Sequence, residues 1–131
     1  MIRKFFLLAG VALLIAGCAS TSGANRNFLT EKQVKGKTFT GTGGTLEPYT
    51  VTYKFNADNT LVRIKNGVPY EGIWTYNASQ SLRPFSIRWL ENGKEYGYMA
   101  LFMQSGSEIV LTGDWFLSDL DLTLFEKLKQ K

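Results

Sequence analysis

Between Lys37 and Leu124 the chain alternates apolar and polar residues with a period of two. In Thr50-Val51-Thr52-Tyr53-Lys54-Phe55, one face carries Val51, Tyr53 and Phe55 and the other Thr50, Thr52 and Lys54. That pattern predicts a strand with one face buried. Asn56 to Asn59 turns it, and Thr60 to Lys65 runs back with Val62 and Ile64 alternating against Arg63 and Lys65. Tyr70 to Tyr76 puts Tyr70, Gly72, Trp74 and Tyr76 on one face; Pro84 then opens the alternation Phe85-Ser86-Ile87-Arg88-Trp89. The dipeptides Asn66-Gly67 and Asn92-Gly93 lie between such runs, and both central residues of a type I′ turn need positive φ, so the strands they join are antiparallel.

Glu95 to Met103 is apolar on both faces, with Tyr96, Tyr98 and Phe102 on one and Met99, Leu101 and Met103 on the other, which predicts a strand covered on both sides. Glu108 to Thr112 reads as a strand broken by Gly113-Asp114, and Trp115-Phe116-Leu117 leads to a last segment. There Leu120, Leu122 and Leu124 keep strand spacing, while Leu122, Phe125 and Leu128 keep helical spacing. A strand followed by a frayed basic tail is the expectation. Near the start, Phe28 to Lys35 predicts a helical turn, with Thr30 as cap, Gln33 three residues later and Gly36 as stop. About eight short strands joined mainly by hairpins predict an all-β antiparallel up-and-down barrel, since closure removes exposed sheet edges.

The first residues follow another rule. Arg3-Lys4 precede Phe5 to Ala16, twelve residues without a charge, and about 20 would be needed to span a bilayer, so a cleaved targeting segment is expected rather than a retained helix. Ile15-Ala16-Gly17-Cys18 fills the pattern of a lipobox, and the first 18 residues resemble those of bacterial lipoproteins. The resemblance implies removal of residues 1–17 and acylation of Cys18. Two or more chains, each contributing about 0.8 kcal/mol per buried CH2, hold a protein to a membrane stably. Ala19 and Ser20 follow where an aspartate, in enterobacterial lipoproteins, favours inner-membrane retention. The expected location is the outer membrane, on its periplasmic face. Residues 18–27, small and polar after the cysteine, read as a lipidated tether, and 28–131 as one barrel domain.

Losing Arg3 and Lys4 with the leader takes the formal charge from +4 to +2, so charge gives no argument for nucleic acid. The single cysteine is the lipid site; no disulfide is available, and stability must come from a core. Gly36, then a meander containing Tyr53-Lys54-Phe55-Asn56-Ala57-Asp58-Asn59-Thr60 and Tyr70-Glu71-Gly72-Ile73-Trp74-Thr75-Tyr76, resembles small bacterial lipocalin-like domains. After Gly36-Lys37 the chain has Thr38 where true lipocalins carry tryptophan, and Phe39 is the nearest aromatic.

Candidate chemistry is sparse. Histidine is absent, which removes the usual general base and the commonest metal ligand, and with the thiol acylated no nucleophile has a partner. No enzyme activity, metal or cofactor is expected. Gly41-Thr42-Gly43-Gly44 lacks the lysine and helix of a phosphate loop and reads as a mobile connection. Glu71, Glu91, Glu95, Glu108 and Asp114 form a pool of carboxylates at turns or polar faces, where solvated charges normally sit. Asp114, Asp119 and Asp121 lack the spacing of a calcium loop. The aromatic content, 18 residues of 131, is the notable feature. In a barrel such residues either fill the core or wall a cup. Trp74, Trp89, Tyr96, Tyr98 and Phe102 are the candidates for a wall, with Arg63 or Arg88 orienting a carboxylate or phosphate head. The expected function is non-enzymatic binding of a small apolar or amphipathic ligand. The alternative is a filled barrel that binds another envelope protein through the loops at Gly41 to Pro48, Asn77 to Arg83 and Gln104 to Ser107.

Overall fold

The computed structural model describes residues 27–44, 46–115 and 123–131. Cys18, the leader, Leu120, Leu122, Asp119 and Asp121 lie outside them. The chain enters through β1 (Asn27–Phe28) and one helical turn, α1 (Glu31–Val34). Eight strands follow: β2 (Lys37–Gly43), β3 (Tyr49–Phe55), β4 (Thr60–Lys65), β5 (Val68–Tyr76), β6 (Phe85–Glu91), β7 (Lys94–Ser105), β8 (Glu108–Trp115) and β9 (Thr123–Gln130). Each pairs antiparallel with the next, and β9 returns to β2, so β2 to β9 close an eight-stranded up-and-down barrel. Both Asn-Gly hairpins take the positive φ that their turns require, 50° and 83° at Asn66-Gly67 and 53° and 79° at Asn92-Gly93.

Strand β7 is the longest because it serves three neighbours. Lys94 to Ala100 pair with β6 and Tyr98 to Ser105 with β8, which leaves the β6-side edge free after Ala100. There β1 takes it, with Asn27 opposite Gln104 and Phe28 opposite Met103. Phe28 is thus in a strand, not in the helical turn expected from Phe28 to Lys35. That turn is only Glu31–Val34; the Thr30 N–H donates to the Gln33 side chain at 2.9 Å, and Gly36 ends it at φ 76°.

Several expectations give way to the pull of closure. The basic tail is not frayed: it is β9, which pairs on both sides and buries Leu124, Glu126 and Leu128. Strand β8 is not broken at Gly113-Asp114 but runs on to Trp115. Gly41 to Gly43 are no mobile connection, being laddered to both β3 and β9. Among the described residues no second layer covers the outer face of β7, and Met99, Leu101 and Met103 are half-buried.

Two strand glycines permit the tight curvature. A Cβ at Gly41 would lie 1.8 Å from the Lys127 carbonyl oxygen, and one at Gly72 would lie 1.9 Å from that of Arg88. Both clash with backbone, which cannot rotate away as a side chain can. Gly36 differs, since its Cβ would meet nothing within 4 Å and only its φ is unfavourable. Urea unfolding should therefore show Gly41→Ala losing about 3 kcal/mol against about 1–2 kcal/mol for Gly36→Ala. Equal losses would contradict the close approach of β2 and β9.

Candidate functional site

The barrel interior is built in two unlike halves. At the end where the chain enters, inward positions carry Phe39, Phe55, Leu61, Trp74, Phe85, Phe102 and Ile109, all 2% exposed or less, with Val34 of α1 beneath them. Their rings meet largely edge to face: Phe55 and Phe102 are 5.4 Å apart at 82°, Phe85 and Phe102 4.9 Å apart at 81°. That geometry sets positive ring edges on negative faces. The Trp74 indole N–H donates to the Asn56 carbonyl at 3.0 Å, so no polar group of this residue is stranded. This half is a plug. Phe39 packs in it against Phe55 and Phe102 at 5.9 and 5.8 Å.

At the other end the inward positions become Gly43, Tyr49, Arg63, Lys65, Trp89, Glu91, Tyr96, Tyr98, Leu124 and Glu126. Many of them line a cavity of about 610 Å³ at the end of the barrel where β4 meets β5 and β6 meets β7. Its floor is a buried ion pair. The Arg63 Nη2 donates to Glu126 Oε2 at 2.8 Å, with the two side chains 3% and 0% exposed. Tyr49 donates to the same oxygen at 2.6 Å, and Tyr53 donates to the other. Arg63 Nε in turn donates to the Tyr53 hydroxyl at 3.0 Å.

The register explains how these groups meet. Tyr49, Gly43 and Glu126 lie in one row across β3, β2 and β9, and Tyr53 lies opposite Arg63. A Cβ at Gly43 would sit 2.5 Å from the Tyr49 hydroxyl and 2.8 Å from the Glu126 Cγ. The glycine opens the gap across which phenol and carboxylate join. Such a cluster costs desolvation and holds only because its donors and acceptors are matched.

Around this floor the aromatics bind cations and one another. The Arg63 guanidinium lies 4.3 Å from the Trp89 ring centroid, a cation–π distance. Trp89 stacks on Tyr96 at 5.6 Å and 8°, and on Tyr98 at 5.5 Å and 20°. Lys65 sits 5.0 Å from the Tyr49 ring centre. Glu91 faces inward: it lies 3.5 Å from Arg63 Nη1 and 3.6 Å from Lys65 Nζ, and accepts from the Trp89 indole at 3.2 Å.

Comparison with family models, curated proteins and solved structures finds no match. The geometry is therefore the only guide to function. Of the candidates named from sequence, Arg63, Trp89, Tyr96 and Tyr98 come together in the cup. Trp74 and Phe102 do not, being fully buried in the plug. Arg88 is also misplaced: it is on the outer wall, 41% exposed, and bonds Glu95 through Nε at 2.9 Å. Arg83 and Asp114 form a further surface pair at 2.5 Å.

Sequence reasoning missed Glu126 and assigned Glu91 to solvent. The alternation of Val62 and Ile64 against Arg63 and Lys65 leaves the inner face of β4 open in the sequence, and in the structure the basic residues share the inner phase of Leu61. The signal lay in register, because Arg63 is opposite inward Tyr53. No group of three or more acidic, histidine or cysteine residues among the described residues could hold a metal ion.

Burial, then the charge of Glu126, raises the phenols of Tyr49 and Tyr53 far above the ordinary 10.0. Burial first, reinforced by Glu126 and opposed by Arg63, pushes Tyr98 up to about 12. For Arg63 burial acts to lower the value, but Tyr53 and Glu126 outweigh it and keep the guanidinium charged. Raised folded-state phenol values contribute stability that is complete below the unfolded value near 10.0 and is lost as pH climbs toward the folded values. An alkaline titration followed by tyrosinate absorbance and circular dichroism should show these three phenols ionising together with unfolding. Their ionisation near 10.0 in the intact barrel would contradict the buried cluster.

Proposed function

We propose that this chain is a membrane-anchored envelope lipoprotein whose barrel binds a small amphipathic molecule in its open half. The observation that carries the reading is the division of the interior: an aromatic plug at one end and, at the other, a cavity of about 610 Å³ over a buried charged floor. Ligand sites commonly occupy about 300–1,000 Å³, with mostly apolar walls and a few fixed polar groups. Tyr96, Trp89, Tyr98 and Leu124 supply such walls, and Arg63, Lys65 and Glu91 the polar groups. A binding role is preferred to a catalytic one because the chain has no histidine and its only cysteine is the lipidation candidate.

The lipobox at Cys18 supports anchoring, and Ala19 and Ser20, in place of a retention aspartate, support an outer-membrane location, for which the periplasmic face is the reading adopted. The chain enters the barrel at the plugged end, where β1 joins β7 beside Phe102.

Native mass spectrometry of the span from Asn25 to Lys131, purified from a bacterial periplasm, should show a stoichiometric added mass that organic extraction removes. An apo mass that also takes up no hydrophobic probe would instead favour a protein-binding module working through its loops. Separately, Cys18→Ala should abolish membrane attachment of the mature chain. A processed variant that stays with the membrane through an alkaline wash would refute the lipid anchor.

A further inference from the structure

We propose that the cup floor is a carboxylate-binding site which the protein fills with its own Glu91, and which takes the head group of a singly charged anionic amphiphile. This deepens the reading of the cup as a ligand site and rests on it. The ligand would enter head first, with its tail toward the mouth.

Three donors converge on the Glu91 carboxylate: Arg63 Nη1 at 3.5 Å, Lys65 Nζ at 3.6 Å and the Trp89 indole N–H at 3.2 Å. None closes to the 2.7–2.9 Å typical of charge-assisted N–H···O bonds, although Arg63 reaches 2.8 Å on Glu126. Arg63 therefore has one edge committed, through Nε to Tyr53 and Nη2 to Glu126, and one edge turned to the cup. Glu91 is held back by its backbone, since it ends β6 opposite Lys94 at the lip of the Asn92-Gly93 hairpin. A free carboxylate carries no such restraint and can settle closer to all three donors.

Charge favours the exchange. Arg63 and Lys65 face Glu91 and Glu126 in the cup, and Glu126 is already engaged by Arg63, Tyr49 and Tyr53. When Glu91 swings toward solvent, Arg63 and Lys65 exceed Glu126 by one positive charge at the floor, and Lys127 on the cavity lining adds to that excess. A single negative head group neutralises the charge at the floor, whereas a cation would lose the match. The cavity also extends past this head-group position to Tyr96, Tyr98 and Leu124. That is more apolar wall than a bare inorganic anion would use, so the fitting ligand carries a hydrocarbon tail.

The test uses the full chain in phosphatidylcholine nanodiscs, with tryptophan emission followed against empty discs during titration with decanoate, decanol or decylamine. Decanoate should bind about tenfold or more tightly than either control, the scale of one charge-assisted hydrogen bond. Glu91→Gln keeps the shape of the side chain but removes the internal competitor, and should tighten decanoate about tenfold. Lys65→Met, at a side chain 33% exposed and so tolerant of change, should weaken decanoate about tenfold. If decanoate, decanol and decylamine bind alike, or if Glu91→Gln weakens decanoate, the cup binds ligands but the carboxylate site is wrong. If none of the three binds, the reading of the cup as a ligand site falls as well.

Discussion

The open half of the barrel depends on how a buried arginine is kept charged away from water. Arg63 is 3% exposed, and its guanidinium survives there because Glu126, itself fully buried, sits 2.8 Å away and is further held by two phenols. Removing one partner of such a pair typically costs about 3–5 kcal/mol, because the other is left as an uncompensated charge. This requirement fixes much else. Glu126 must come from the closing strand, Gly43 must lack a side chain so that Tyr49 can reach over it, and Trp89 must lie flat against the guanidinium.

The same pair marks where packing stops. Below it, edge-to-face rings fill the lumen to the level of Val34 and Leu29. Above it the cavity lies between Tyr49, Lys65, Trp89, Tyr96 and Leu124. A solvated cup over a charged floor is the outcome, where a continuous apolar core would have been simpler to stabilise. Proteins tend to retain such costly polar arrangements where they serve binding.

Much of the architecture was legible in the sequence. The period-two runs and the two Asn-Gly turns gave strands, pairing and class, because hairpin register is local and set by turn chemistry. What escaped was decided by closure between distant segments. The tail from Thr123 reads as solvated, yet β2 and β8 flank it and bury Glu126, while Lys127 and Lys129 stay exposed. Arg63 is named from sequence, but that Lys65 shares its inner face is set by Leu61 and the β3 register. Trp74 and Trp89 are both aromatic and inward on neighbouring strands, yet one belongs to the plug and the other to the cup. Height along a barrel axis depends on stagger, which a single strand does not encode.

The most direct test of the account is crystallographic. Decanoic acid brominated at its terminal carbon, bound to the protein, gives an anomalous signal that locates the tail while difference density locates the head. The account predicts the carboxylate against Arg63, Lys65 and the Trp89 indole, Glu91 rotated toward solvent, and bromine near Tyr96 and Leu124 toward the mouth. Bromine at the floor beside Arg63, or ligand only on the outer wall around Ile73 and Arg88, would contradict it.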